Sequence, residues 1–173
     1  MQYKCACCDE MIEGIPTFSW KYPLSYLDVP EDKRKEDVYL TDDLCVIAGK
    51  WFFVKGCIEI PVIGHDDPFI WGVWVSLSEE NFMEFQDLLK VEERSHFGPY
   101  FGWLSAAISL YPDTENLKTM LYIRNNGCRP YIKLEPTDHP LALEQKNGIT
   151  LERVSQIYAN RVHGKTIAHK PLT

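Results

Sequence analysis

The chain lacks any apolar run approaching the roughly 18 to 20 residues that a membrane helix requires, so no spanning segment is expected. No apolar leader follows Met1: Gln2-Tyr3-Lys4 runs directly into cysteines, which points to the cytoplasm and to reduced thiols. Positive charge is in deficit, with 18 Lys and Arg against 25 Asp and Glu and a formal net charge of −7. Phosphate binding draws on clustered Lys and Arg, so a nucleic-acid partner is not expected. Also missing are the G-x-S-x-G elbow, the P-loop, the dinucleotide fingerprint and H-E-x-x-H. Without them no nucleophile, base and orienting group can be read as a set, and an enzyme is the less favoured reading.

What is present suits a packed core. Of 173 residues, 45% are hydrophobic and 13% aromatic, enough to bury a core without disulfides or a metal. No long linker or internal repeat divides the chain, so residues 1–173 read as one domain. Cys45, Cys57 and Cys128 stand alone and read as small core hydrophobes. The aromatic stretches Trp51 to Phe53, Phe69 to Trp74 and Tyr100 to Trp103 read as core, and any ring left exposed would mark a binding face.

The periodicity favours strands in antiparallel pairs. A short extended piece is expected at Thr17 to Lys21, and the seven charged residues Glu31 to Asp37 as a solvated segment. "DLCVIAGKWFFVKGCIEIPVIG" reads as two strands about a tight turn at Ala48-Gly49. "FIWGVWVSL" is apolar on both alternate sets, as in a strand covered on both faces, and Gly72 within it marks a bulge or a close neighbour. Ser78 caps a helix with Phe82, Phe85 and Leu89 on one face, and "RSHFGPYFGWLS" reads as a loop, broken at Gly98-Pro99, that passes into another apolar segment. Strands 118–124 and 129–135 flank Asn125-Asn126-Gly127. Thr137 or Asp138 would cap a short helix bearing Pro140, and Thr150 a last helix to about Val162, with Gly164 beyond it. Residues 165–173 read as a loose tail. The fold class is α+β: a mainly antiparallel sheet with two or three appended helices.

The chemistry is sparse. Cys5 and Cys8 form a C-x-x-C, spaced for two thiolates on one tetrahedral Zn²⁺, with Cys7 a further candidate ligand. No second C-x-x-C supplies the remaining ligands. His65, His96, His139 and His163 are far from the cysteines in the chain, and three sulfurs within four residues crowd one tetrahedron. A redox pair would open a helix after a strand, whereas Asp9-Glu10 here opposes thiolate formation. No cofactor is required, zinc being the one that the spacing suits. His65 with Asp66, and His139 with Asp138, are the remaining acid–base candidates, although turn and cap roles account for both.

Five ordered blocks, "DLCVIAGKWFFVKGCIEIPV", "PFIWGVWVSLSEENF", "PYFGWLS", "YPDTENLKT" and "KLEPTDHPLALEQKNGIT", resemble the bacterial domain-of-unknown-function family 2199 over nearly the whole chain. The resemblance implies an architecture and a bacterial cytoplasmic habitat, with no activity. It also implies a C-x-x-C-Gly knuckle with a His four residues after the second Cys. Cys5 and Cys8 match that pair, whereas Asp9 stands at the Gly place and Ile12 at the His place. Residues 1–14 therefore read as a knuckle remnant. The expected function is a non-catalytic protein-binding module, an immunity protein neutralising a toxin being one form, with a basic partner drawn by the acidic surface. The alternatives are an enzyme using His65 or His139 with neighbouring carboxylates, or a zinc-stabilised regulatory module.

Overall fold

The computed structural model describes residues 1–166. In chain order the strands are β1 (Gln2–Lys4), β2 (Met11–Glu13), β3 (Thr17–Ser19), β4 (Val38–Leu40), β5 (Leu44–Ile47), β6 (Trp51–Ile60), β7 (Phe69–Leu77), β8 (Tyr100–Leu104), β9 (Lys118–Tyr122) and β10 (Tyr131–Leu134). The helices are α1 (Arg34–Asp37), α2 (Glu79–Leu88), α3 (Pro140–Asn147) and α4 (Leu151–His163). The strands pair mainly antiparallel, as the α+β reading expects.

The central element is the β6–β7 ladder, running from Phe52 opposite Leu77 to Ile60 opposite Phe69. Side chains alternate faces along a strand, so the register puts Val54, Ile58 and Ile60 with Val75, Trp71 and Phe69 on one face. Phe53, Lys55, Cys57 and Glu59 lie on the other, with Ser76, Trp74, Gly72 and Ile70. The far edge of β7 takes β3 in parallel at one end and β8 antiparallel at the other. β8, β9 and β10 follow antiparallel, and β10 returns to β6 where Tyr131 pairs with Cys57. β6 to β10 thus form a closed circuit, and β5 and β4 extend from the free half of the β6 edge.

Two glycines allow the closure. A Cβ on Gly56 of β6 would lie 2.6 Å from Ile132 Cδ1 of β10. A Cβ on Gly102 of β8 would collide with the Ser76 carbonyl oxygen of β7. Gly72, by contrast, marks a close neighbour: its Cβ would meet Ser19 Oγ at 2.7 Å.

One face of the circuit and helices α2 to α4 enclose the main core, in which Val54, Ile58, Trp71, Leu121, Ile132, Val154 and Ile157 are fully buried. Each such side chain contributes roughly 1.5–3 kcal/mol of transfer free energy. A second cluster of Val29, Cys45, Ile47, Phe53 and Trp74 covers the β5–β6–β7 part of the opposite face. There the Trp74 indole donates to the Trp20 carbonyl at 3.1 Å.

Ser78 and Thr150 cap α2 and α4 as expected, accepting from the Asn81 and Arg153 amides. α3 differs: neither Thr137 nor Asp138 caps it, and His139 Nδ1 accepts from the Leu141 amide at 3.2 Å. Buried Arg94 joins the end of α2 to the β9–β10 loop by donating to the carbonyls of Leu88, Arg124 and Cys128. Glu144 of α3 binds Arg153 of α4 at 2.9 Å and accepts from the Tyr111 hydroxyl. Burial, then the adjacent Glu144 charge and its hydrogen bond, push the Tyr111 phenol far above its ordinary value.

Several expectations are corrected. "PYFGWL" contains strand β8 where a loop was expected, because its alternation is short and interrupted by Gly102. The strands at 118–124 and 129–135 shorten to β9 and β10, since Arg94 and Asn125 draw the intervening backbone into a wider loop. Cys128 is exposed and Cys57 only half-buried, while Cys45 is fully buried. Trp51, Phe101 and Trp103 are exposed, because the second cluster stops short of their parts of the sheet. The tail expected at 165–173 lies, from residue 167 on, outside the described residues.

Replacing one partner of the Glu144–Arg153 pair strands a buried charge. Arg153→Met should therefore lower the unfolding free energy by about 3 kcal/mol. The double variant with Glu144→Leu should recover part of that loss, as read from denaturant midpoints.

Candidate metal centre

β1 and β2 form a hairpin in which Tyr3 pairs with Ile12, and the loop between them closes where the Cys5 amide donates to the Glu10 carbonyl at 2.8 Å. Tyr3, Cys5 and Ile12 are buried in the main core. Ser155 Oγ of α4 donates to the Lys4 carbonyl at 2.8 Å. Burial and this bond lay the hairpin along α4, whose 13 residues carry the chain about 20 Å to its last helical residue, His163. Gly164, in the left-handed conformation, terminates the helix there.

The hairpin loop and the end of α4 consequently meet. The ligand atoms of Cys5, Cys7, Cys8 and His163 all lie within 4.8 Å of one another. Cys5 Sγ is 3.6 Å from Cys7 Sγ, and Cys8 Sγ is 3.7 Å from His163 Nε2. A tetrahedral ion with Zn–S near 2.3 Å and Zn–N near 2.0 Å needs ligand atoms about 3.5–3.8 Å apart, so these two edges fit. Cys5 is buried and the other three are exposed. The loop brings all three thiols, expected to crowd one tetrahedron, within 4.8 Å of one another and of the His163 ring.

Around the ligands, Glu10 accepts from the Tyr158 hydroxyl on one oxygen and contacts His163 Nε2 at 2.9 Å with the other. Because Nε2 is also the ring nitrogen nearest Cys8, the carboxylate holds the imidazole beside the thiols but would have to release Nε2 for that nitrogen to bind an ion. Burial tends to raise the Cys5 thiol, but backbone and side-chain hydrogen bonds from Cys7 and Cys8 outweigh it and hold Cys5 below its ordinary value. Desolvation and then the Cys5 thiol push Cys7 up to about 11. The C-x-x-C opens no helix, so the arrangement required of a thiol–disulfide redox motif is not formed.

The other candidate residues are not brought together with this cluster. His65 and Asp66 are exposed on a shallow cavity of about 650 Å³ shared with Glu59, Arg124, Tyr122 and Tyr131. Asp138 is exposed at the rim of a 460 Å³ cavity beside α3. His139 is occupied by the α3 cap through Nδ1, and its Nε2 is buried without a partner among the described residues. The only His–carboxylate ion pair among the described residues is His163–Glu10.

The model of the family described as "Uncharacterized protein conserved in bacteria (DUF2199)" matches residues 4–149. The chain belongs to this family. No curated protein and no solved structure matches it. The DUF2199 match includes Cys5, Cys7, Cys8 and Glu10 and stops before α4, so His163 lies outside it. Sequence reasoning missed His163, which follows Cys8 by 155 positions, although its H-x₅-H spacing to His169 is a signal that could have found it. Its place at the end of an amphipathic helix before a capping Gly is also common to many helices with no site.

The hairpin–helix seam is open to test. Ser155→Ala removes the donor to Lys4 and should lower the unfolding free energy by about 1 kcal/mol. Amide exchange in residues 2–13 should accelerate more than exchange in β6, measured by hydrogen–deuterium exchange.

Proposed function

We propose that this DUF2199 chain is a non-catalytic binding module whose amino-terminal hairpin is clipped to α4 by a zinc ion. The carrying observation is the convergence of Cys5, Cys7, Cys8 and His163, from two distant parts of the chain, to within 4.8 Å. Three thiolates and one imidazole make a complete tetrahedral set, the composition of structural zinc sites, with no position left for a substrate. Thiolate-rich sets favour zinc over harder cations. The ion would join the hairpin to the end of α4 where hydrogen bonding is solvent-exposed, and its binding free energy would add to that of folding.

A binding role is supported by the separation of the acid–base candidates and by the exposed aromatic side chains of the sheet. Neutralising a toxin is one form that such a partnership would take.

Protein purified without added metal should carry about one equivalent of zinc. Cobalt substitution should give the visible bands of a tetrahedral thiolate site. Cys8→Ser and His163→Ala should each weaken zinc affinity at least tenfold while leaving far-ultraviolet circular dichroism intact. Less than about a tenth of an equivalent in the wild type, after reconstitution under reducing conditions, rejects the metal. For the binding role, the chain in its own cell extract should elute as a complex whose retention weakens as salt rises. Elution as a 20.1 kDa monomer at every salt concentration rejects that role.

A further inference from the structure

The exposed aromatics are organised. Register places Phe101 opposite Met120 and Met120 opposite Lys133, with Trp103 opposite Lys118 and Tyr122 opposite Tyr131. The outward face of β8, β9 and β10 is therefore one continuous surface of rings, Met and Lys. Phe101, Trp103 and Tyr122 are 44%, 41% and 38% exposed, far more than core aromatics. Phe101 and Trp103 pack edge to face at 5.1 Å, and Tyr122 lies 6.2 Å from Tyr131, so the rings brace one another. A clustered, exposed apolar surface of this kind marks an interaction site.

The surface has relief. A 210 Å³ cleft between Phe101, Met120, Tyr122 and Lys133 adjoins the 460 Å³ cavity that leads from Lys133 to α3. The β10 edge beside it is closed: Gln145 donates to the Ile132 carbonyl and accepts from the Leu134 amide. A partner therefore binds through side chains in the clefts, and not by adding a strand.

Charge selects the partner. The outward residues of these three strands include Lys118 and Lys133, and the carboxylate lining the same cleft is Glu135 just past β10, so the cleft carries a net positive charge in a chain of net charge −7. Lys118 has Glu135 at 3.7 Å, and Arg124 at the rim is paired with Glu59 at 2.7 Å. Lys133 has no ion pair among the described residues. A basic partner would meet like charge here. A nucleic acid needs several free cations along its backbone, and this face offers too few. A second copy docked face to face would bring the same surplus of positive charge, since its one cleft carboxylate, Glu135, is already paired with Lys118.

Resting on the binding role above and not on the metal, we infer that the β8–β10 face docks an acidic segment of a partner protein. That segment seats an aromatic or aliphatic anchor in the cleft between Phe101 and Lys133. This replaces the basic partner suggested by net charge alone.

Random peptides displayed on phage, selected on the full chain, test it. The enriched peptides should be rich in Asp and Glu around one aromatic or aliphatic residue. Trp103→Ala and Lys133→Glu, each verified as folded by thermal melting, should weaken a synthesised peptide at least tenfold, and Met83→Ala on α2 should not. A peptide with Lys in place of its acidic residues should prefer Lys133→Glu over the wild type. Equal affinity for the wild type and both face variants would place binding elsewhere, overturning this surface while the binding role stands. Enrichment of basic peptides overturns the acidic partner, and no enrichment at all overturns both readings. Single-stranded oligothymidylate that binds more tightly than any peptide, and is lost with Trp103→Ala, would make the face a nucleic-acid platform and overturn the inference.

Discussion

The structure depends on the register between β6 and β7. A slip of one residue would turn Lys55 and Glu59 toward the main core and Val54, Ile58 and Ile60 away from it. Charge without partners in a low-dielectric interior costs several kcal/mol, so the apolar pattern of β6 excludes that alternative. With the register set, β8 and β10 can reach the two long strands only where Gly102 and Gly56 remove side-chain bulk. The same choice decides which rings of β8 and β9 face outward.

The two ends of the described chain meet because each is bound to the same helix. The hairpin is buried on α4 through Tyr3, Cys5 and Ile12, and Ser155 fastens its backbone. The length of α4 then delivers His163 to the hairpin loop, where Glu10 and Tyr158 receive it. Ile12 is buried in the core, and the imidazole that lies beside the thiols is that of His163.

Net charge and local charge give opposite answers about a partner. The acidic total is spread over the chain, whereas on the β8–β10 face Lys118 and Lys133 lie among rings with Glu135 as the carboxylate of the cleft, leaving Lys133 without an ion pair among the described residues. Over distances beyond about 8–10 Å, screening by salt makes the local pattern the one a docked partner meets.

Much of the fold was legible in the residues. The turn at Ala48-Gly49, the doubly covered strand at Phe69–Leu77, the Ser78 and Thr150 caps and the Gly164 stop each rest on local stereochemistry, and each stands in the structure. β8 escaped notice because a short strand with a central glycine lacks a strong period, and the His139 cap because imidazole is an uncommon capping group. In the candidate site, Cys5 and Cys8 were visible through their spacing, and Cys7 as a neighbour. The H-x₅-H of His163 and His169 was the one local trace of His163, and its meeting with the cysteines across 155 positions left none. The amino-acid order by itself determined the α+β class, the core strands and the turns, because hydrophobic period and backbone preference act over a few residues. Only the tertiary structure decided the convergence of the three thiols and the imidazole, the closing of the circuit and the exposure of the aromatic face, because each depends on which distant surfaces are buried against each other.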